Sequence, residues 1–526
     1  MKIRSILLVL ITSILVLAAC DSSDETAKGN NNSDTDTNNI EEKIVFAANT
    51  DVQSLDPHNA NDKTSSQVID MIYNRLLKYD EDNNIEGDMA SDWEVSDDGL
   101  TWTFELEEGV KFQDGSKFDA EAVKKSFERL IDMDNGLAHS SNYQFIKDIE
   151  VIDEYVVAFE TDEPSGLFED LMADLSTFII SPEAIDEYGN DVGKSAESTI
   201  GTGQYEITDW EKDELLVLER NEDYFDEKGI TKIIEYKTIP EDSTRVMALE
   251  SEEVDVIDKV PAQDLSRLEE TDGIEVKKVA STGQRMFRFD VTSEPLSDIK
   301  VRQAILHAID RETIIDRVVP GMGEVPTSAL TPAMSDYIDL DEIPYDTEKA
   351  KELLKEAGYS DGFETKITTT DRYIQGVELA EVIGDQLKQV GIETEINVME
   401  WGDISDEWGG LTAEEFDQGI FILGTGGENS DRHLRPIYQT ADDNARNHGY
   451  YSNEEFDELV TDALTELDSE KRKELYQRAQ EIIYYEDPAA IYLYDQYTMV
   501  AQRDDVHDVT VSPFLMATFE NAYKDN

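Results

Sequence analysis

Cys20 is the only cysteine in 526 residues. An intramolecular disulfide is therefore excluded, and with it any cysteine-built metal site. Histidine is nearly as scarce: six are present and none forms an H-E-x-x-H pair, so no metal centre is expected. Basic residues are the third shortage, with 45 Lys and Arg against 119 Asp and Glu and a formal charge of −74. A surface of that sign repels phosphate backbones and anionic head groups, which excludes nucleic acid as a partner. The acidity runs along the whole chain, so it reads as a solvating, self-repelling coat. The apolar run that opens the chain, Ile6 to Leu17, falls short of the roughly 20 residues that span a bilayer as a helix.

That run is informative for another reason. Lys2 and Arg4 precede it and the small residues Ala18 and Ala19 follow, the pattern of an export signal over residues 1–19. Leu17-Ala18-Ala19-Cys20 resembles the lipobox of bacterial lipoproteins. The resemblance implies cleavage before Cys20, a diacylglycerol on its sulfur and an acylated amino terminus, palmitate being the expected acyl class. Several acyl chains anchor stably where one binds only marginally. Residues 20–42 follow as a linker of Asp, Asn, Ser, Thr and Gly, too polar to offset its own ordering entropy.

The remainder is too long for one core and mixes strand and helix periods. Trp102, Phe104 and Leu106 alternate with polar residues, which predicts a half-buried strand. Asp119 is a predicted N-cap for a helix whose stripe is Val123, Phe127, Leu130 and Ile131. A second helix starts after Asp346 and stops at Gly358; a third covers Val377 to Val390 and stops at Gly391. The strand Ile392 to Val398 then delivers Trp401. Ser452 and Glu455 read as a capping box before a stripe from Phe456 to Leu467.

Motifs that look catalytic fail on context. Gly358-Tyr359-Ser360-Asp361-Gly362 fits G-x-S-x-G, but a nucleophile elbow runs strand to helix and here a helix leads in. Asp80 to Asn84 opens like a calcium loop, yet its sixth position is Ile85 and its twelfth Ser91. Gly201-Thr202-Gly203 and Gly424-Thr425-Gly426-Gly427 lack the spacing and lysine of a phosphate loop. No cofactor and no enzymatic activity are expected.

Ser54-Leu55-Asp56-Pro57, Ile72 to Leu76, Ala90 to Trp93, Thr101 to Phe104, Gly109 to Phe112, Ile180 to Ala184, Gly201 to Gly203, Val301 to Ala304 and Tyr484 to Pro488 occur in an order that resembles family 5 extracellular solute-binding proteins. These are the dipeptide, oligopeptide, glutathione and nickel group serving ABC importers. The resemblance implies an α/β fold of two lobes, a type II periplasmic-binding-protein clamshell with the ligand between them. Residues 43–284 would form lobe I, 285–492 lobe II, and 493–526 the return to lobe I. The partners it implies are a small peptide, ABC permease subunits and, through the anchor, the outer face of the membrane, with the protein a monomer.

In the peptide-binding branch, an arginine before a lobe II helix holds the peptide carboxylate, a tryptophan in an E-W-G turn lines the pocket and an aspartate in a later loop takes the ammonium. Arg372, Trp401 and Asp431 stand at the matching places, with Tyr373, Glu428, Asn429 and Thr64 beside them. A zwitterion leaving water needs a fixed cation at one end and a carboxylate at the other. Arg372-Tyr373, Thr425-Gly426 and Leu434 to Tyr438 look most like glutathione-type members. Gln204, Arg432 and Leu423-Gly424 depart from common family residues, and a nickel-chelate or oligosaccharide branch, or a tethered hydrolase, stays open as the alternative.

Overall fold

The computed structural model describes residues 40–80, 84–370, 372–373, 375–404, 419–426, 429–440, 447–514 and 517–525. Ten strands form the path of the main sheet: β1 (Lys43–Ala48), β2 (Tyr205–Glu211), β3 (Leu215–Arg220), β4 (Ile233–Thr238), β5 (Val256–Asp258), β6 (Ile274–Phe289), β7 (Phe363–Thr369), β8 (Ile392–Val398), β9 (Ile420–Thr425) and β10 (Ala490–Arg503). Their order across the sheet is β8-β7-β9-β6-β10-β5-β1-β4-β3-β2, and the short strand Gly323–Glu324 pairs with β10 off that path. Two long neighbours, β6 and β10, thus lie between strands drawn from different parts of the chain.

Hydrophobic cores divide along those two strands. Met286, Phe287 and Phe289 of β6 and Tyr492 to Tyr494 of β10 belong to a core with Ile367, Ile392 and Ile420. Val500 of β10 instead joins Ile44, Phe46, Leu216, Ile234 and Val256, and Val279 of β6 packs against that same core. The handover coincides with an irregularity. Ala280 pairs with Tyr497 and Gln284 with Asp495, so Ser281, Thr282 and Gly283 face Gln496 alone. A bulge of this kind interrupts the ladder and bends the strand.

Local elements follow from caps and periodicity. Helix α1 (Lys63–Ile72) is capped by Asp62, whose side chain accepts from Ser65 N. Helix α2 (Ala120–Ile131) is capped by Asp119, and Val123, Phe127 and Leu130 are buried as the stripe predicts. Strand Thr101–Leu106 buries Trp102, Phe104 and Leu106. The helix Thr347–Glu356 buries Ala350, Leu353 and Leu354, and Gly358 beyond it takes φ +92°. Strand β7 follows, so the G-x-S-x-G stretch is a helix exit and turn.

Helix α3 (Gly376–Lys388) begins one residue and ends two before the expected bounds. Helix α4 (Ser430–Tyr438) was read as loop; Asn429 caps it, accepting from Arg432 N, and Pro436 lies inside it. Two expectations near the C-terminus need correction. Asn453, not Ser452, caps the helix Glu454–Thr465 by accepting from Phe456 N, while Ser452 Oγ accepts from Thr440. Because that helix stops at Thr465 its period no longer applies at Leu467, which is 38% exposed.

The Ser54 to Pro57 motif is structural. Arg129 of α2 donates to both carboxylate oxygens of Asp56, at 2.6 and 3.0 Å, and its Nη1 lies 2.9 Å from His58 Nδ1. Burial, then the Arg129 charge, pushes His58 down to about 3. The neutral ring accepts at Nδ1 and donates from Nε2 to Phe178 O at 3.2 Å. Gly201 and Gly203 serve a close backbone approach: a Cβ would fall 2.1 Å from Ile72 O at the first and 2.5 Å from Met71 O at the second.

Asp495, where β10 faces the bulge, is 2% exposed and accepts from Gln284 Nε2 at 2.7 Å. Burial, with the Glu324 charge adding, pushes its carboxyl up to about 8 from 3.8. A raised carboxyl stabilises fully below its unfolded value and loses that contribution as pH rises to the folded value. Asp495→Asn keeps the acceptor and removes the ionisation. Urea unfolding is therefore expected to show the variant close to wild type at pH 3.8 and more stable than wild type above about 8.

Candidate functional site

Three strands deliver the candidate residues to one place. β7 pairs in parallel with β8, Thr369 opposite Val398, and in parallel with β9, Ile367 opposite Ile420. Their carboxyl ends therefore open on the same edge, the position where open α/β sheets bind ligands. Arg372 and Tyr373 follow β7, Trp401 follows β8, and Gly426 and α4 follow β9. Met399 N donates to Thr369 O at 2.9 Å, which ties the first two exits together.

Arg372, Tyr373 and Trp401 form one stack. The Arg372 guanidinium lies 4.2 Å from the centre of the Trp401 ring, and Tyr373 meets Trp401 edge to face at 5.8 Å and 75°. Such a cation over an indole face is held without spending its N–H groups. Arg372 is exposed, and Tyr373 and Trp401 are half-buried. A residue absent from the sequence reading completes the stack: the Arg285 guanidinium of β6 sits 4.1 Å from the Tyr373 ring centre.

Asp431 occupies a different setting from the loop expected of it. It is 3% exposed on the first turn of α4. Arg435, one turn later, donates to both its oxygens at 2.7 and 2.8 Å, and the Tyr476 hydroxyl reaches Oδ1 at 3.4 Å. Bonding to Asp431 raises the Arg435 pKa, while burial first and then the Asp431 charge hold the Tyr476 hydroxyl well above its usual range. Asp431 is thus an acceptor already engaged by its own chain.

Asn429 is 6% exposed, and its side-chain oxygen is spent on the α4 cap. Next along α4, Arg432 makes an ion pair of 2.8 Å with Asp174, and Gly166 N donates to Leu464 O at 2.9 Å. These contacts tie α4 and the helix Glu454–Thr465 to residues 166–174, which border a separate core that contains Phe168 and Met172. His433, pushed down to about 4 by burial, lies 3.0 Å from Thr425 Oγ1 and so fastens α4 to the end of β9.

Thr64 stands apart. It is 3% exposed on α1, shares a hydrogen bond of 2.9 Å with Thr50, and α1 packs in the core of β1 and β4. Glu428 and Cys20 lie outside the described residues, as do residues 1–39. Among the described residues no group of His, Cys, Asp and Glu is arranged to hold a metal ion, and no helix is long and apolar enough to cross a membrane. The sequence singles out neither Arg285 nor Tyr476, and it offers Arg435 only within the stretch Leu434 to Tyr438, with no role as partner of Asp431. Arg285 had one signal, a charge at the head of the mostly apolar stretch Met286 to Phe289, which also holds Arg288.

Residues 84–445 match the family described as bacterial extracellular solute-binding proteins, family 5, middle region. The chain is 32% identical over 452 residues to the glutathione-binding protein GsiB of Salmonella paratyphi A, covering 85% of this chain and 87% of that protein. Its structure is similar to that of HbpA2 from Haemophilus parasuis, with a TM-score of 0.84 and 25% identity over 92% of this chain and 100% of that one. It is also similar to DppA, an ABC transporter-associated periplasmic binding protein of Helicobacter pylori in complex with the peptide STSA. That likeness has a TM-score of 0.74 and 28% identity over 93% of this chain and 99% of the other. The mixed α/β architecture is the two-lobed type II arrangement, in which a solute is bound for transport and no reaction is performed on it. The chain belongs to the family 5 bacterial extracellular solute-binding proteins.

Proposed function

We propose that the protein captures a small peptide, dipeptide or glutathione-like, on the outer face of the membrane and passes it to the permease subunits of an ABC importer. The observation that carries this reading is the stack of Arg372, Tyr373 and Trp401 at the joined exits of β7 and β8, beside the bulge at Ser281 to Gly283. Relatives named for glutathione binding and solved with a bound peptide support it. Lobe I is assigned to residues 43–284 and 493–526 and lobe II to 285–492, with the bulge as hinge. A small segment where paired strands lose register is suited to absorb the backbone change of closure.

In this reading Arg372 binds the peptide carboxylate, Trp401 and Tyr373 form the wall, and the ammonium goes to the carboxylates of Glu428 and Asp431, with Asn429 beside them. Thr64 faces the ligand from lobe I on closure. Asp431 has the further task of holding Arg435 and the start of α4. Cys20 carries the lipid anchor, and the polar linker gives the lobes reach from the membrane.

The two charged residues are expected to separate in their effects. Arg372→Ala removes a charge-assisted bond to the ligand, about 1.5–3 kcal/mol, or roughly 10- to 150-fold in Kd, without moving the melting temperature. Asp431→Asn weakens both the bond to the ammonium and the clasp on Arg435, so it lowers affinity and also lowers stability by about 2 kcal/mol, less than a fully buried pair because Arg435 is about one-third exposed. Calorimetry with glutathione and a dipeptide, beside denaturant unfolding, reads both. Wild-type affinity in Arg372→Ala would remove the carboxylate clamp.

Anchoring has its own test. Cys20→Ser is expected to abolish incorporation of labelled palmitate and to leave the protein in the medium or as uncleaved precursor. Full membrane retention of a mature-sized, unlabelled product would refute the lipid anchor.

A further inference from the structure

Among the described residues seven arginines are buried: Arg75, Arg129, Arg245, Arg285, Arg288, Arg302 and Arg311. Six have an acceptor. Asp70, Asp56, Asp242 and Asp487 pair with Arg75, Arg129, Arg245 and Arg302, and the carbonyls of Ile437 and Tyr492 take bonds from Arg288 and Arg311. Arg285 differs. It is 6% exposed and its Nε and Nη1 have no hydrogen-bond partner among the described residues, as is true of the same two atoms of Arg75, but Arg75 keeps Asp70 at 3.3 Å and Arg285 has no carboxylate at ion-pair distance among those residues. In a chain with 119 carboxylates, lack of a counter-ion is not a matter of supply. A guanidinium cannot shed its proton, so burial without an acceptor costs free energy that an incoming anion would offset.

The residue is also fixed in place. β6 pairs on one side with Gly424 of β9 and on the other with Tyr494 of β10 at this position. The guanidinium carbon lies 4.1 Å from the Tyr373 ring centre, a cation–π contact that engages none of its N–H donors. At Gly424 a Cβ would fall 2.3 Å from Arg285 Nη1, so the glycine makes the room that the guanidinium fills. The bulge Ser281 to Gly283 is adjacent, and a Cβ on Gly426 would come within 3.8 Å of Gly283 Cα. Arg285 therefore borders both the hinge and the exit of β9, and it shares one aromatic pair with Arg372.

Building on the peptide reading above, we propose that Arg285 is a second anion-binding residue of the cleft and that the transported peptide carries two carboxylates. Arg372 takes one and Arg285 the other. Two peptide classes present that chemistry: α-linked peptides with an acidic side chain, and γ-linked glutamyl peptides whose α-carboxylate stands free of the backbone. Neutral dipeptides leave Arg285 unpaired in a desolvated site, and the site discriminates against them on that account.

Calorimetry on wild type, Arg285→Gln and Arg372→Ala with glutathione, Ala-Glu and Ala-Gln tests this. Wild type is expected to bind at least one of the two diacids about tenfold or more tighter than Ala-Gln, corresponding to about 1.4 kcal/mol, and which diacid wins distinguishes the classes. Arg285→Gln is expected to lose that preference from both sides, binding the diacid more weakly and Ala-Gln more tightly because the neutral peptide no longer strands a buried charge, with a cooperative urea unfolding transition showing that the fold is intact. Arg372→Ala is expected to weaken all three. A second variant, Arg285→Lys, keeps the charge without the planar fork and is expected to retain only part of the preference. A diacid preference that persists in Arg285→Gln, or is absent from wild type, overturns the assignment alone. Failure of wild type to bind any of the three peptides overturns the peptide reading and this assignment with it.

Discussion

Everything at the site depends on the pairing of β6 with β10. These two antiparallel strands carry residues of both core regions, and their ladder slips where Ser281 to Gly283 face Gln496 alone. On one side of that slip the strands are buried among β1, β4 and β5; on the other they are buried among β7, β8 and β9. A packed core resists deformation, so relative movement of the two regions concentrates where ladder and packing are both interrupted. Asp495 and Gln284 mark that place with a hydrogen bond that burial keeps in its protonated, uncharged form near neutrality.

From this crossing the parallel arrangement of β7, β8 and β9 aims three loops at one edge. Arg372 over Trp401 and Arg285 over Tyr373 are then positioned by ring faces, not by carboxylates. That choice matters in a chain of formal charge −74. A cation neutralised by a neighbouring acid has little left for a ligand, whereas one held on an aromatic face keeps its hydrogen-bonding edge. Asp431 and Arg435 show the opposite case, two charges that satisfy each other and secure α4.

Much of the fold was legible because its signals are local. The alternation of Trp102, Phe104 and Leu106, the Asp119 cap and the glycine stops at Gly358 and Gly391 each lie within one element, and the structure has them as read. Legibility failed where two local signals competed. Asn453 outcompeted Ser452 for the cap. The loop that the resemblance implies for Asp431 is the first turn of α4, where the four-residue spacing of Asp431 and Arg435 makes a helical ion pair.

Residue types and order by themselves pointed to the family, excluded an intramolecular disulfide, and supplied the expectation of an export signal with a lipobox-like end and the candidates Arg372, Tyr373 and Trp401, because motif spacing and composition are properties of the chain. Tertiary structure alone decided which charges were already spent. Asp431, Asn429 and Arg432 are consumed by Arg435, by the α4 cap and by Asp174, while Arg285 on a central strand is not. For Arg432 the distinction rests on contact with Asp174, far away in the chain, and for Asp431 and Asn429 on burial within and just before one helix; electrostatic energy depends on distance and burial, which sequence spacing alone does not record.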